Sequence, residues 1–268
     1  MDNNDYDLFF INKNDLKDHI FEYFEKYIDS FKKFNFSKIN KNVLDPFKLL
    51  FDQKVYNKSD KQLIMDEISR QIDKTNNNII GYFHQNLFKK FQNSEWNVPK
   101  EGFDIENKSK KIYVELKNKH NTMNEKTQTT VYLKMLNQLA KDNKSQCYLV
   151  QIISKKSQLK EWEITINKQK QRNNNIFICS IDKFYELITN DKYFFYKLTY
   201  WITKLLDEII IENNYNTNPT IFKSTDIVIS EILEYLILNK SINLLENIFL
   251  KTFETYIGFD SWIHDKNE

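Results

Sequence analysis

The sequence predicts an α/β protein in which a small mixed β-sheet is flanked by helices, with helical additions at both ends. Three observations predict it. Residues 112–117 alternate strictly, and residues 103–105 can pair back on them across a polar turn. Apolar runs at 147–153, 162–166 and 176–179 have the length and composition of strands. The segments before and after them repeat apolar residues every three or four positions, the period of an amphipathic helix.

Taken in order, Ile20, Phe21, Phe24, Tyr27, Ile28 and Phe31 recur at helical spacing and define a core-facing helix. Two further helices are expected at about 60–74 and 78–91. In the hairpin, Ile112, Val114 and Leu116 fall on one face and can pack into a core, whereas Glu115 and Lys117 project together from the other. The linker 107–111 is polar and turn-prone. Val131, Leu133, Met135, Leu136 and Leu139 mark a helix at 129–140 that packs on the sheet, and 147–153 follows as a buried strand. Strands at 162–166 and 176–179 lead to a helix capped near Ser180. From Tyr193 onward the pattern is helical, with Leu198, Ile202, Leu205 and Ile209 on one side and later helices at 227–238 and 242–256. No internal repeat is evident.

Composition limits the function classes. Only three glycines are present, too few for a Gly-rich phosphate loop, which argues against nucleotide-hydrolysing motors and dinucleotide-dependent oxidoreductases. The net charge of +2 permits nucleic-acid binding without requiring it. Lysines cluster at Lys108, Lys110, Lys111, Lys117 and Lys119, and a second basic run holds Lys168, Lys170 and Arg172. Phosphate contact is expected of the first cluster, and a solvated face of the second. Cys147 and Cys179 lie in apolar segments, so buried thiols in a reducing cytoplasm are expected rather than a disulfide. Residues 1–5 are acidic and lack the apolar run of a signal peptide, and no stretch is apolar over a bilayer-spanning length.

The chemistry concentrates in the hairpin. Asp104, Glu115 and Lys117 would bring two carboxylates and one ammonium to one point. A hard divalent cation such as Mg²⁺ takes oxygen ligands of this kind, typically one or two carboxylates beside waters. Asp104 and Glu115 would be the ligands, with the main-chain carbonyl of Leu116 as a third oxygen, and Lys117 would orient the attacking water or stabilise charge on a scissile phosphate. The reaction would be phosphodiester hydrolysis. An Asp followed by Glu-x-Lys also arises by chance in a chain that is 28% charged, and the alternative is an exposed, solvated hairpin.

The flanking residues add a resemblance. Gly102-Phe103-Asp104, with Val114-Glu115-Leu116-Lys117-Asn118-Lys119-His120-Asn121-Thr122-Met123-Asn124, resembles a type II restriction endonuclease family of the PD-(D/E)xK superfamily whose members cut GGNCC- and GGWCC-type sites. Residues 81–88 and 180–187 look similar too, so the likeness covers roughly 60–195. Phe103 stands where the superfamily's nominal motif has proline, a position that varies widely.

The resemblance implies a PD-(D/E)xK nuclease core at 60–195 within a single domain of 1–268, and a helical tail at 196–268 that packs or dimerises. It implies a Mg²⁺-dependent enzyme acting on double-stranded DNA, a homodimer matched to a palindromic site, and a cognate DNA methyltransferase as functional partner. It also makes Glu67 a candidate further acid, with Asp66 as competitor; Glu67 could instead pair with Arg70 or Lys74 on its own helix. Lys119, His120, Asn121 and Asn124 follow the active strand where DNA would approach, and His84 with Gln85 lies in a family-like segment, giving candidate DNA contacts. If the target is GC-rich, Arg172 and Arg70 become candidate guanine readers, since guanine is read most often by Arg or Lys. Two other functions fit the same residues: a repair or recombination nuclease of the superfamily, and a catalytically silent DNA-binding protein.

Overall fold

The computed structural model describes residues 6–32, 44–92, 95–215, 229–230, 232–237 and 243–253. Residues 1–5, the side chain of Phe31, and parts of the helices expected at 227–238 and 242–256 lie outside the described residues. The chain divides into two compact units, one of residues 1–24 and 79–213, the other of residues 25–78 and 214–268.

The described elements run α1 (Lys13–Lys32), α2 (Pro46–Tyr56), α3 (Asp60–Leu87), β1 (Trp96–Asn97), β2 (Ile105–Asn107), β3 (Ile112–Lys119), α4 (Glu125–Lys141), β4 (Gln146–Ile153), β5 (Leu159–Glu161), β6 (Ile164–Ile166), β7 (Gln169–Gln171), β8 (Ile176–Ser180), α5 (Ile181–Thr189), α6 (Phe194–Glu212) and α7 (Leu244–Thr252).

The first unit is built on a six-stranded mixed sheet in the order β1-β2-β3-β4-β8-β5. Strands β3, β4 and β8 are parallel to one another, and β1, β2 and β5 add antiparallel edges. Crossovers force this mixture. The β3–β4 connection carries α4, long enough to return the chain for a parallel strand, whereas β2 and β3 are joined by a tight turn and must run antiparallel. Asn107 shapes that turn: its Oδ1 accepts from Lys110 N at 3.0 Å and Ser109 Oγ at 2.9 Å, and Lys111 closes it with φ 56°.

Both faces of the sheet are covered. Ile112, Val114, Leu116, Tyr148 and Val150 meet Phe88, Ile181, Phe184, Tyr185 and the α6 residues Leu198, Trp201 and Leu205. The opposite face, with Cys147, Leu149 and Ile176, packs under Val131, Tyr132, Met135 and Leu139 of α4 together with Trp162. Two-sided burial explains the nearly continuous apolar run of β4. Both cysteines are free and buried. The second unit has its own core, in which Leu49 of α2 and Leu63, Ile64 and Ile68 of α3 pack with Ile229, Ile232, Leu236 and the α7 residues Leu244, Leu245 and Ile248.

Three expectations are corrected. The helices expected at 60–74 and 78–91 are one continuous helix, α3. Residues 162–166 are not a single sheet strand: β5 ends before Trp162, and β6 pairs with β7 in a separate two-stranded ribbon whose turn residues Asn167 and Lys168 both have positive φ. Ser180 sits at the N-cap of α5, but its side chain makes no cap bond; its hydroxyl accepts from Gln158 N at 2.9 Å instead. Among the described residues, no helix is long and apolar enough to cross a membrane.

Candidate active site

Gly102 opens the site. Its φ of 99° lies where side-chain-bearing residues are strained, and it turns the chain so that Phe103 enters the core and Asp104 approaches β3. The β2–β3 register pairs Ile105 with Val114, which leaves Asp104 just beyond the end of β2, beside Glu115 and Leu116. Asp104 Oδ2 accepts the Leu116 amide at 2.8 Å and lies 3.9 Å from Lys117 Nζ. The same ammonium donates to Glu115 Oε1 at 2.9 Å. The structure therefore brings the three expected residues together, and Glu115 is 8% exposed where the alternative of a solvated hairpin required it open.

The electrostatics follow from this crowding. Burial and the neighbouring Glu115 carboxylate push the Asp104 carboxyl above its ordinary range, against the opposing pull of the Leu116 amide, Lys117 and Lys134. Because the N–H and C=O of one strand residue point to the same edge, the Leu116 carbonyl turns toward the side where its amide meets Asp104. Two carboxylates and one carbonyl are the hard oxygen donors that a small divalent cation takes, so the residues present fit such an ion.

Two residues of the site were missed in the sequence. Lys134 of α4 donates to Glu115 Oε2 at 2.6 Å, with its ammonium 4.6 Å from the centre of the Phe103 ring. Its position between the buried Tyr132 and Met135 was the available signal, since it borders the apolar stripe that packs on the sheet. Gln151 is the in-register partner of Lys117 on β4 and is 5% exposed. An amide within the apolar run 147–153 was its signal.

The other candidates have varied surroundings. Lys119 is exposed at the end of β3, and His120 donates its backbone N–H to Ile153 O at 3.0 Å. Asn121 is exposed. Asn124 is the N-cap of α4, its side chain accepting from Thr127 N at 2.9 Å. His84 and Gln85 are half-buried on α3, and burial with the nearby His19 pulls His84 down to about 4. Arg172 pairs with Glu161 and lines an open groove with Lys160, Trp162 and Glu163. Glu67, in the second unit, is buried and takes Arg70 in a two-point contact of 2.6 and 2.7 Å while Gln71 donates to it at 2.8 Å. Of the first lysine cluster, Lys108 and Lys111 pair with Glu106 and Asp142, whereas Lys110 and Lys119 have no ion pair among the described residues.

A mixed α/β sheet flanked by helices, carrying this Asp, Glu and Lys at the end of a β-hairpin, is consistent with the restriction-endonuclease class. Comparison with known proteins identifies the family. Residues 8–211 match the family model described as Eco47II restriction endonuclease. The chain is also 30% identical over 211 residues to the type II restriction enzyme Sau96I of Staphylococcus aureus, an alignment covering 76% of this chain and 81% of that enzyme. The chain belongs to the Eco47II restriction endonuclease family and is an enzyme of sequence-specific DNA cleavage.

Proposed function

We propose that this restriction endonuclease is a Mg²⁺-dependent type II enzyme hydrolysing double-stranded DNA at a GGNCC-like palindrome, with Asp104, Glu115 and Lys117 as its PD-(D/E)xK centre. The observation that carries the assignment is the convergence of these three side chains at the open end of the β2–β3 hairpin. Similarity to Sau96I supports the GGNCC-like target.

Bound there, a divalent cation would act as a Lewis acid on the phosphoryl oxygen and lower the pKa of the attacking water. The chain's own contribution is positional. The Leu116 amide fixes one oxygen of Asp104 and β3 holds Glu115 beside it, so the two carboxylates are held side by side before an ion arrives. Lys117, tethered by Glu115, turns its remaining ammonium protons toward the scissile phosphate and stabilises the charge that develops there. The main-chain carbonyl of Leu116 would be the third oxygen ligand.

Around this centre, Lys119, His120 and Asn121 are the expected DNA contacts, with Arg172 as a guanine reader after release from Glu161. Asn124 contributes mainly by capping α4. A homodimer would give each strand of a palindrome its own catalytic centre, and a cognate methyltransferase would protect host DNA in the cytoplasm. Glu67 is best read as the partner of Arg70. A repair nuclease with the same triad would recognise ends, junctions or damage, so digestion of long unmethylated duplex DNA followed by sequencing of the fragment ends separates the two. Ends sharing one GGNCC-like sequence are expected; ends without a common sequence would overturn the reading.

A further inference from the structure

Both oxygens of Glu115 are already occupied. Lys117 Nζ lies 2.9 Å from Oε1, and Lys134 Nζ lies 2.6 Å from Oε2. With Asp104, these residues form a neutral set of two carboxylates and two ammonium groups. Each Glu115 oxygen keeps a lone pair for a cation, but an ammonium hydrogen-bonded to the same oxygen repels the incoming charge. Moving one lysine away relieves that repulsion.

The two are not equally able to move. Lys117 stands two residues from Glu115 on the same face of β3 and also reaches toward Asp104, so its position is fixed by the strand that carries it beside Glu115. Lys134 comes from α4 on a flexible four-carbon stem, its side chain is 31% exposed, and Glu115 is its sole ion-pair partner among the described residues. Its side chain is partly open to solvent, and the face of Phe103 lies beneath its ammonium as a second resting place.

We propose that Lys134 is a displaceable counter-ion. It neutralises Glu115 in the cation-free enzyme, leaves Oε2 when the divalent cation arrives, and thereby sets how tightly the enzyme binds that cation before DNA is present. This rests on the cation reading of Asp104 and Glu115. Lys134 is a positioning residue under this proposal, since it acts through Glu115, and its effect is read in cation affinity as well as in cleavage.

The test uses the full chain without DNA and Mn²⁺ as probe, with free Mn²⁺ followed by its paramagnetic resonance signal. Lys134→Met, which keeps an apolar stem over Phe103, is expected to bind Mn²⁺ about tenfold more tightly than wild type, the scale on which one adjacent charge shifts an ionic equilibrium. Lys134→Arg, which keeps the charge, is expected to stay within about twofold by the same argument. In the wild-type protein, acylation of Lys134 by acetic anhydride, read by mass spectrometry, is expected to rise at saturating Mn²⁺ as the ammonium leaves its partner. If Lys134→Met fails to fold, the acylation decides alone. Affinity unchanged or weakened in Lys134→Met, or Lys134 acylation unmoved by Mn²⁺, would overturn the counter-ion while leaving the cation site in place. Mn²⁺ binding that ignores Asp104→Asn and Glu115→Gln would overturn the cation reading itself.

Discussion

Asp104 holds its charge at a cost to folding. Its carboxyl is pushed above the ordinary range by burial and by Glu115, so the ionised form is less favourable in the folded chain than in the unfolded one, and that cost is present at neutral pH and relieved as pH falls through the folded-state value. Asp104→Asn keeps an oxygen to accept the Leu116 amide and is expected to melt at a higher temperature than wild type near pH 7 while losing cleavage by at least about 10²-fold, the scale of removing one electrostatic catalytic group. Equal or lower melting would show that the crowding is not felt. His84 acts in the opposite sense. Its folded value of about 4 lies below the ordinary 6.5, so it contributes stability above pH 6.5 that is lost as pH falls toward 4. That loss is at most about 3 kcal/mol, and urea titrations across this range should find it smaller in His84→Gln. The clustering of Glu115 and Lys117 was legible because side-chain parity in a strand is strict; Lys134 was not, because only the packing of α4 on the sheet brings it to Glu115.

Among the elements, α4 ties the site to the core. Met135, fully buried against the sheet, seats the helix that carries Lys134, and Met135→Ala is expected to cost about 2–5 kcal/mol in chemical denaturation. Asn124 separates two roles at the start of the same helix. Asn124→Ala should cost about 1 kcal/mol through loss of the cap, whereas Asn124→Asp retains a cap acceptor and should retain stability. A folded Asn124→Asp that loses DNA binding would place the amide's donor on DNA, whereas unchanged binding would leave capping as its role. Element boundaries were less legible than element types. The sequence reading left a gap at 75–77 between the helices expected at 60–74 and 78–91, yet α3 continues through it, with Asn76 accepting the Ser30 hydroxyl at 2.6 Å and Asn77 bonding back to Asp73. Trp162 read as part of a strand, yet its ring is buried against Tyr132, and the chain leaves the main sheet there before the β6–β7 ribbon begins.

At the scale of the whole molecule, the alternation of 112–117, the helical stripes and the apolar run of β4 were enough to read a mixed sheet flanked by helices. The division into two units was not legible, because no linker of distinctive composition marks it and each unit is assembled from segments distant in sequence. In the proposed function, Asp104, Glu115 and Lys117 form one cation-dependent hydrolytic centre. Its most direct test is cleavage of duplex DNA by wild type and by Glu115→Ala, each with Mg²⁺ and with excess chelator, on protein shown by circular dichroism to be folded. Defined fragments are expected from wild type with Mg²⁺ alone, and at least about 10²-fold less product from the variant. Undiminished cutting by folded Glu115→Ala, or by wild type in chelator, would contradict it.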